Sequence, residues 1–120
     1  GNFFVYLEAI DEQGNVYYLT EGMLRAIHRK VSTDTPPYKQ FVPYHSFKRA
    51  DAIPLIPGEV AEITFGLNPI SALIRRGWKV RVSISGADKD TFARIPLTGS
   101  PSVEIMIGGD QASFIEIPIK

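Results

Sequence analysis

The chain has 120 residues, 13 basic and 13 acidic side chains, 44% hydrophobic residues and no cysteine. This size fits one domain with an ordinary packed core, and the zero formal net charge argues against duplex nucleic acid as a partner, because duplex-binding proteins carry a basic excess. The lack of cysteine excludes disulfide scaffolds, thiolate nucleophiles and cysteine-based zinc sites.

The sequence says less about membrane association and about the cellular compartment. No apolar run approaches the roughly 20 residues needed to span a bilayer, so we predict no membrane partner. A chain without cysteine is compatible with either redox environment, and the compartment stays open, with the cytoplasm slightly favoured. The sequence enters an apolar run directly after Gly1 and Asn2, without an initiator methionine, and we expect it to be a piece of a longer protein.

The first part of the chain is predicted to form a β-hairpin. Residues 3–10 are apolar on both faces apart from Glu8, which is typical of a central strand. Turn-forming residues at 11–15 then lead into a second strand that begins at residues 16–19. Residues 21–30 are ambiguous, since their apolar spacing weakly favours a short helix and also fits a twisted strand.

The rest of the chain alternates between loops and strand-type stripes. Prolines interrupt residues 32–57, yet aromatic residues recur there, so we expect a long loop that is packed across the domain. The clearest stripe, Trp78 to Ile84, is predicted to face a core with Trp78 as a core residue. Period-two stripes predict strands over residues 61–67, 78–84, 103–107 and 115–119, with a turn at 108–110. Short strands of this kind indicate an all-β antiparallel sandwich or barrel.

The residues themselves carry no catalytic constellation. No serine lies in a G-x-S-x-G elbow, and His28 and His45 lack metal-ligand spacing. Asp88 and Asp90 are spaced as in a calcium loop, but Lys89 stands between them and no downstream glutamate follows. We therefore predict no catalytic residue, no metal and no cofactor in this chain.

Carbohydrate binding is an alternative function for a small β-sandwich. Exposed aromatic rings can stack on the apolar face of a sugar, and Tyr38 and Tyr44 are the exposed candidates in the long loop. A free-standing carbohydrate-binding module would therefore depend on these two tyrosines.

Five segments, in order and at compatible spacings, together resemble one family, although each is weak alone. They are YLTEGMLRA at 18–26, PLIPGEV at 54–60, RGWKVRVSIS at 76–85, FAR at 92–94 and TG at 98–99. The family is the X-prolyl dipeptidyl peptidase and cocaine esterase group of serine hydrolases, and the resemblance is to its C-terminal domain. The chain departs from the family pattern at Trp78, where histidine is usual, and residues 86–94 lack the first phenylalanine and the proline of the family loop.

The resemblance implies a fold and a role. The fold would be a jelly-roll β-sandwich, similar to galactose-binding modules, spanning residues 1–120 as the C-terminal domain of a longer α/β-hydrolase chain. The catalytic triad would lie upstream, in the α/β-hydrolase domain that is the implied partner. This domain would be a non-catalytic accessory domain that buttresses the hydrolase domain and helps to wall the cleft for an X-Pro peptide or ester substrate.

The resemblance has two further structural implications. It favours an extended conformation for residues 21–30, against the weak helix prediction. It also implies additional strand before Phe3, so that the chain would lack the first strand or strands of its own sandwich. Residues 3–10 would then expose an unpaired edge or an uncovered apolar face, and we expect the chain to self-associate.

Two loops are predicted to contact the cleft or the neighbouring domain, because loops at the ends of a sandwich are where such contacts lie. Phe92 would supply an apolar contact and Arg94 a directed cation; the alternative is that Phe92 caps the core and Arg94 is solvated. The candidates are Asp88, Phe92 and Arg94 in one loop, and Tyr44, His45 and Phe47 in the other.

Overall fold

The domain is an all-β fold built on one antiparallel sheet, seen in a computed structural model that describes residues 1–119. Two single 3₁₀ turns, Ala26–His28 and Arg49–Asp51, are the helical elements of the described chain. The strands are β1 (Asn2–Ile10), β2 (Val16–Arg25) and β3 (Lys79–Ser85). They run in the order β2-β1-β3, which confirms the predicted central strand and the all-β antiparallel class. The jelly-roll arrangement stays a prediction.

The hairpin between β1 and β2 is closed by one carboxylate. Asp11 is buried and accepts hydrogen bonds from the backbone N–H groups of Gln13 and Asn15, at 2.9 and 2.8 Å, and from the Tyr17 hydroxyl at 2.9 Å. Gly14 adopts φ 87°, in the left-handed region that glycine tolerates. The predicted turn and hairpin are confirmed, with local sequence supplying each part of the turn.

The helix prediction for residues 21–30 is wrong. β2 stays extended to Arg25, paired from Asn2↔Arg25 to Ile10↔Val16 with a bulge opposite Leu7 and Glu8, and a 3₁₀ turn follows only at Ala26–His28. The ladder satisfies the backbone of β2 and buries Leu24 against the sheet, which a short helix would not do. The extended conformation implied by the family resemblance is correct up to Arg25.

Side chains are buried on both faces of the sheet, Phe4 on one face and Leu7, Ala9 and Leu24 on the other. On the second face, residues 63–68 pass over β2 at Gly22. The contact is so close that a Cβ at Gly22 would lie 2.4 Å from the Gly66 carbonyl oxygen.

Residues 61–65 alternate between half-buried and exposed side chains, as the period predicts, but residues 61–67 form no strand among the described residues. Single backbone contacts join this segment to its neighbours, such as the one between the Thr64 carbonyl oxygen and His45 Nε2 at 2.9 Å. The predicted strand is therefore wrong, although the facing of residues 61–65 is right.

β3 is present as predicted, but its apolar stripe is not a core stripe. Val80, Val82 and Ile84 lie on the same face as Ala9 and Leu7, yet they are 47%, 40% and 46% exposed. Among residues 1–119, this part of the face is therefore only partly covered.

Trp78 precedes β3 and is half-buried, so its prediction as a core residue is wrong. Its ring stacks on Tyr17, with centroids 5.1 Å apart and an interplanar angle of 10°. Tyr17 belongs to β2, so this pair joins the start of β3 to the hairpin.

Residues 97–119 are exposed along their whole length. The predicted turn forms, with the Ser113 N–H donating to the Met106 carbonyl at 2.7 Å and the Ala112 N–H donating to the Gly109 carbonyl at 3.3 Å. The strands predicted at 103–107 and 115–119 are absent from the described chain. A lone two-stranded hairpin is only marginally stable in water, and no third strand pairs with it here.

Candidate functional site

The loop after β3 is fixed to the central strand at three points. The Tyr6 hydroxyl donates to Asp88 Oδ2 at 2.8 Å, and the Phe92 ring lies 5.0 Å from the Phe4 ring. Asn2 Nδ2 also donates to the Ala93 carbonyl at 3.4 Å. Because Asn2, Phe4 and Tyr6 alternate along β1, one face of this strand holds the loop in place.

Asp88 holds the loop through both of its oxygens. Oδ1 accepts from the backbone N–H groups of Asp90 at 3.2 Å and Thr91 at 3.1 Å, while Oδ2 accepts from Tyr6. The hydrogen bond from Tyr6 is the main cause that holds the pKa of Asp88 below its usual value. The same bond, with burial, raises the pKa of Tyr6 to about 12. Asp88 is therefore an ionised anchor of the loop.

Phe92 and Arg94 behave differently from each other. Phe92 is half-buried against Phe4, which corresponds to the capping alternative. Arg94 is exposed and donates through Nη2 to the Gly99 carbonyl. Its cation lies beside a separate shallow cavity of about 330 Å³ that Gly86 and Pro101 also line. Of this loop's candidates, Arg94 presents its charge at the surface.

The long loop at residues 32–57 is packed on the domain only in part: it is held around His45, while Tyr38 and Phe41 are exposed, against the prediction. His45 is buried and joins two other segments, since its Nδ1 lies 3.0 Å from the Lys30 carbonyl oxygen and its Nε2 lies 2.9 Å from that of Thr64. Tyr44 is half-buried, and its carbonyl accepts from the Ser32 N–H at 2.7 Å. Tyr44 and His45 therefore hold the loop against the neighbouring segments. Of the two tyrosines considered for sugar binding, only Tyr38 is exposed, at 63%.

Phe47 is the unusual residue of this loop. Its backbone has φ 55°, and its side chain is 61% exposed, with the ring 5.3 Å from the His28 ring and 6.1 Å from the His45 ring. A left-handed conformation costs a bulky residue of the order of 1–3 kcal/mol, and it persists only where the surroundings hold it. Ser46 supplies such support, because its hydroxyl donates to Asp51 Oδ2 at 2.6 Å. The loop thus presents an aromatic ring at the surface.

One apolar pocket brings the two predicted loops together. Phe92 from the first loop and Phe47 from the second both line a cavity of about 270 Å³. The predicted residues Asp88, Arg94, Tyr44 and His45 do not line it. The other lining residues come from the paired ends of β1 and β2: Asn2, Phe4, Met23, Leu24 and Arg25.

Met23, Leu24 and Arg25 were missed as site residues because their position depends on whether residues 21–30 are helical or extended. The Arg-Ala sequence at 25–26 was part of the segment that resembles the family, and an extended reading of it would have placed Arg25 opposite Asn2. The family-like segment therefore contained Arg25, but only the pairing of β2 with β1 shows that this residue lies at the pocket.

The described residues offer no obvious metal site and no membrane helix. Among residues 1–119, no cluster of three or more histidine, aspartate or glutamate side chains could hold a metal ion. Asp88, the first residue of the calcium-like spacing, is engaged by Tyr6. Over the same range, no helix has the length and apolar character needed to cross a bilayer.

Comparison with known proteins decides the family. A family model described as the X-Pro dipeptidyl-peptidase C-terminal non-catalytic domain matches residues 1–113. The chain belongs to this family. This confirms the resemblance drawn from the five segments and the non-catalytic character of the domain, and it agrees with the absence of a nucleophile motif from the sequence.

Similar curated proteins are much longer than this chain. Two proteins, each named "Putative serine esterase", from Mycobacterium bovis and Mycobacterium tuberculosis, are 49% identical to it over 119 residues. The match covers 99% of this chain and 19% of each relative, so the chain spans about a fifth of their length. No solved structure matches the chain.

Proposed function

We propose that residues 1–120 form one accessory C-terminal domain of a serine hydrolase of the X-Pro dipeptidyl-peptidase or ester hydrolase class. The domain buttresses the hydrolase domain and helps to wall its substrate cleft. Membership of a non-catalytic C-terminal domain family supports this, as do relatives named as serine esterases that extend far beyond the matching region.

The observation that carries the proposal is the amount of apolar side chain left uncovered. Val80, Val82 and Ile84 are exposed on β3, and Ile107, Phe114 and Ile119 are 89%, 83% and 89% exposed in the final segment. Soluble monomers rarely expose apolar patches larger than a few hundred Å², and larger patches mark interaction surfaces. In the intact protein, the hydrolase domain is the partner that covers this surface.

The cleft role is tested with arginine variants of the intact protein. Arg94→Ala removes an exposed cation from the loop that follows β3, and we expect KM for the ester or X-Pro substrate to rise severalfold with thermal stability unchanged. Arg76→Ala is the matched control, because Arg76 is also exposed but precedes β3 at its other end.

Phe92→Ala distinguishes a role in the substrate cleft from a purely structural role of the domain. Phe92 packs on Phe4, so its loss lowers the thermal midpoint as well as changing the kinetics. Unchanged kinetics and unchanged stability in both Phe92→Ala and Arg94→Ala overturn the cleft claim. Lowered stability with intact kinetics instead identifies a purely structural domain.

Self-association of the isolated chain is the second part of the proposal. The predicted cause was an unpaired edge or an uncovered apolar face at residues 3–10, and the unpaired edge is wrong because β1 is paired on both sides. The outer edges of the sheet belong to β2 and β3, and β3 carries the exposed apolar stripe. Edges of this kind pair with other chains. Sedimentation of the isolated chain should show dimers or larger species, and a monodisperse monomer contradicts this.

A further inference from the structure

The pocket between Phe47 and Phe92 combines apolar walls with one unengaged cation. Phe4, Met23 and Leu24 complete the apolar lining. Arg25 also lines it, is exposed, and makes no ion pair or side-chain hydrogen bond with any residue in the described range 1–119. A guanidinium beside an apolar wall is suited to a carboxylate, which it binds in a planar, two-pronged geometry.

The pocket is of a size that suits one side chain of a protein partner better than a complete small molecule. Its volume of about 270 Å³ lies below the roughly 300–1,000 Å³ typical of small-molecule sites. Its walls are also held in place independently of any ligand, since Phe92 packs on Phe4 with the rings tilted by 43° and the backbone at Phe47 is kept in a left-handed conformation. Aromatic residues such as Phe47 are enriched where protein surfaces meet.

We propose that this pocket receives one apolar side chain of the hydrolase domain, and that an aspartate or glutamate next to that side chain pairs with Arg25. The inference rests on the proposed function and specifies its contact point. The relatives extend well beyond the matched region, which supplies the chain from which such a segment comes. Charge complementarity to Arg25 selects an acidic neighbour.

Photo-crosslinking in the intact protein tests this contact. Phe47→p-benzoylphenylalanine places the probe at the pocket, and Phe114→p-benzoylphenylalanine places it on the exposed final segment as a reference. After irradiation and mass spectrometry, we expect the probe at position 47 to attach to a hydrolase-domain segment that contains an apolar residue beside Asp or Glu. A thermal melt checks that each variant is folded.

A charge reversal tests the ionic part of the contact. Arg25→Glu should remove most of the cross-link formed at position 47, whereas Arg49→Glu, at another exposed arginine, should leave its yield unchanged. Equal yields in the two variants overturn the role of Arg25.

The remaining outcomes separate this inference from the proposed function. A cross-link from position 47 to a second copy of the chain, to residues 1–119 of the same chain or to a bound small molecule overturns the inference. If position 114 reaches the hydrolase domain and position 47 does not, the pocket contact is wrong and the accessory role stands. If neither position reaches it, both fail.

Discussion

The three-stranded sheet and the final segment, residues 97–119, share an apolar spacing but differ in structure. Val80, Val82 and Ile84 recur at every second position in β3, and Val103, Ile105 and Ile107 do so in the final segment. The first set pairs with β1 in a regular ladder, while the second forms no ladder in the described chain. A period-two pattern specifies which side chains share a face, but a strand also needs a partner backbone.

Burial separates the two regions in the same way. Leu7, Ala9 and Leu24 are buried in and beside the sheet, whereas every described residue from 97 onward is exposed. The sheet therefore holds the stability that this chain provides by itself. Under the proposed function, the final segment gains its stability from the hydrolase domain that covers it.

The largest expected effect is the loss of a core side chain from the sheet. Leu7→Ala in the isolated chain should lower the free energy of unfolding by about 2–5 kcal/mol, because it leaves a cavity beside Ala9. Ile107→Ala, at an exposed residue of the final segment, should change it by less than about 0.5 kcal/mol. Urea unfolding measures both, and equal losses would remove the distinction between the two regions.

The second prediction concerns the close approach over β2. Gly22→Ala should lower the free energy of unfolding by about 1–3 kcal/mol, because the new methyl group meets the backbone of residues 66 and 67 and the chain has to shift. Gly108→Ala is the control in the final segment, since a Cβ there meets nothing within 4 Å. A neutral Gly22→Ala would show that residues 63–68 do not pack against β2.

The third prediction is that acid weakens the sheet. Hydrogen bonds from Arg81 and Ser83 lower the pKa of Glu8. Burial raises the pKa of Asp11, but hydrogen bonds, led by those from Asn15, outweigh it and the net pKa is lowered. A folded-state pKa below the unfolded value, about 4.3 for glutamate and 3.9 for aspartate, gives stability that is complete above those values and lost as pH falls through the folded pKa.

Urea midpoints measured from neutral pH downward test this prediction. The urea concentration at the midpoint should decrease once the pH is lowered below about 4, and Glu8→Gln should make that decrease smaller. A midpoint that stays constant or rises on acidification would show that these carboxylates do not stabilise the folded sheet.

The smallest expected effect is local. Tyr6→Phe removes the hydroxyl that holds Asp88, so amide hydrogen exchange should become faster across residues 88–94 while β1 stays protected. Tyr18→Phe, on β2, is the control because Tyr18 is exposed. Unchanged exchange in this loop would show that Phe92 and Asn2 suffice to hold it.

The features that were predicted correctly depend on local sequence. Residues 11–15 contain the carboxylate, the backbone donors and the glycine of the turn, to which Tyr17 adds one hydrogen bond, and the apolar pattern of residues 3–10 marks a strand flanked on both sides. Trp78 was misplaced because its position depends on Tyr17, which is distant in sequence and lies in another strand. The pocket was only partly predicted, since Phe47 and Phe92 meet Arg25 only after β2 has paired with β1.

Amide hydrogen exchange of residues 101–119, compared between the isolated chain and the intact protein, tests the accessory role most directly. The isolated chain is measured at a concentration low enough to limit self-association. The account predicts fast exchange in the isolated chain and strong protection in the intact protein, where the hydrolase domain covers Ile107 and Phe114. Equally fast exchange in both would contradict it.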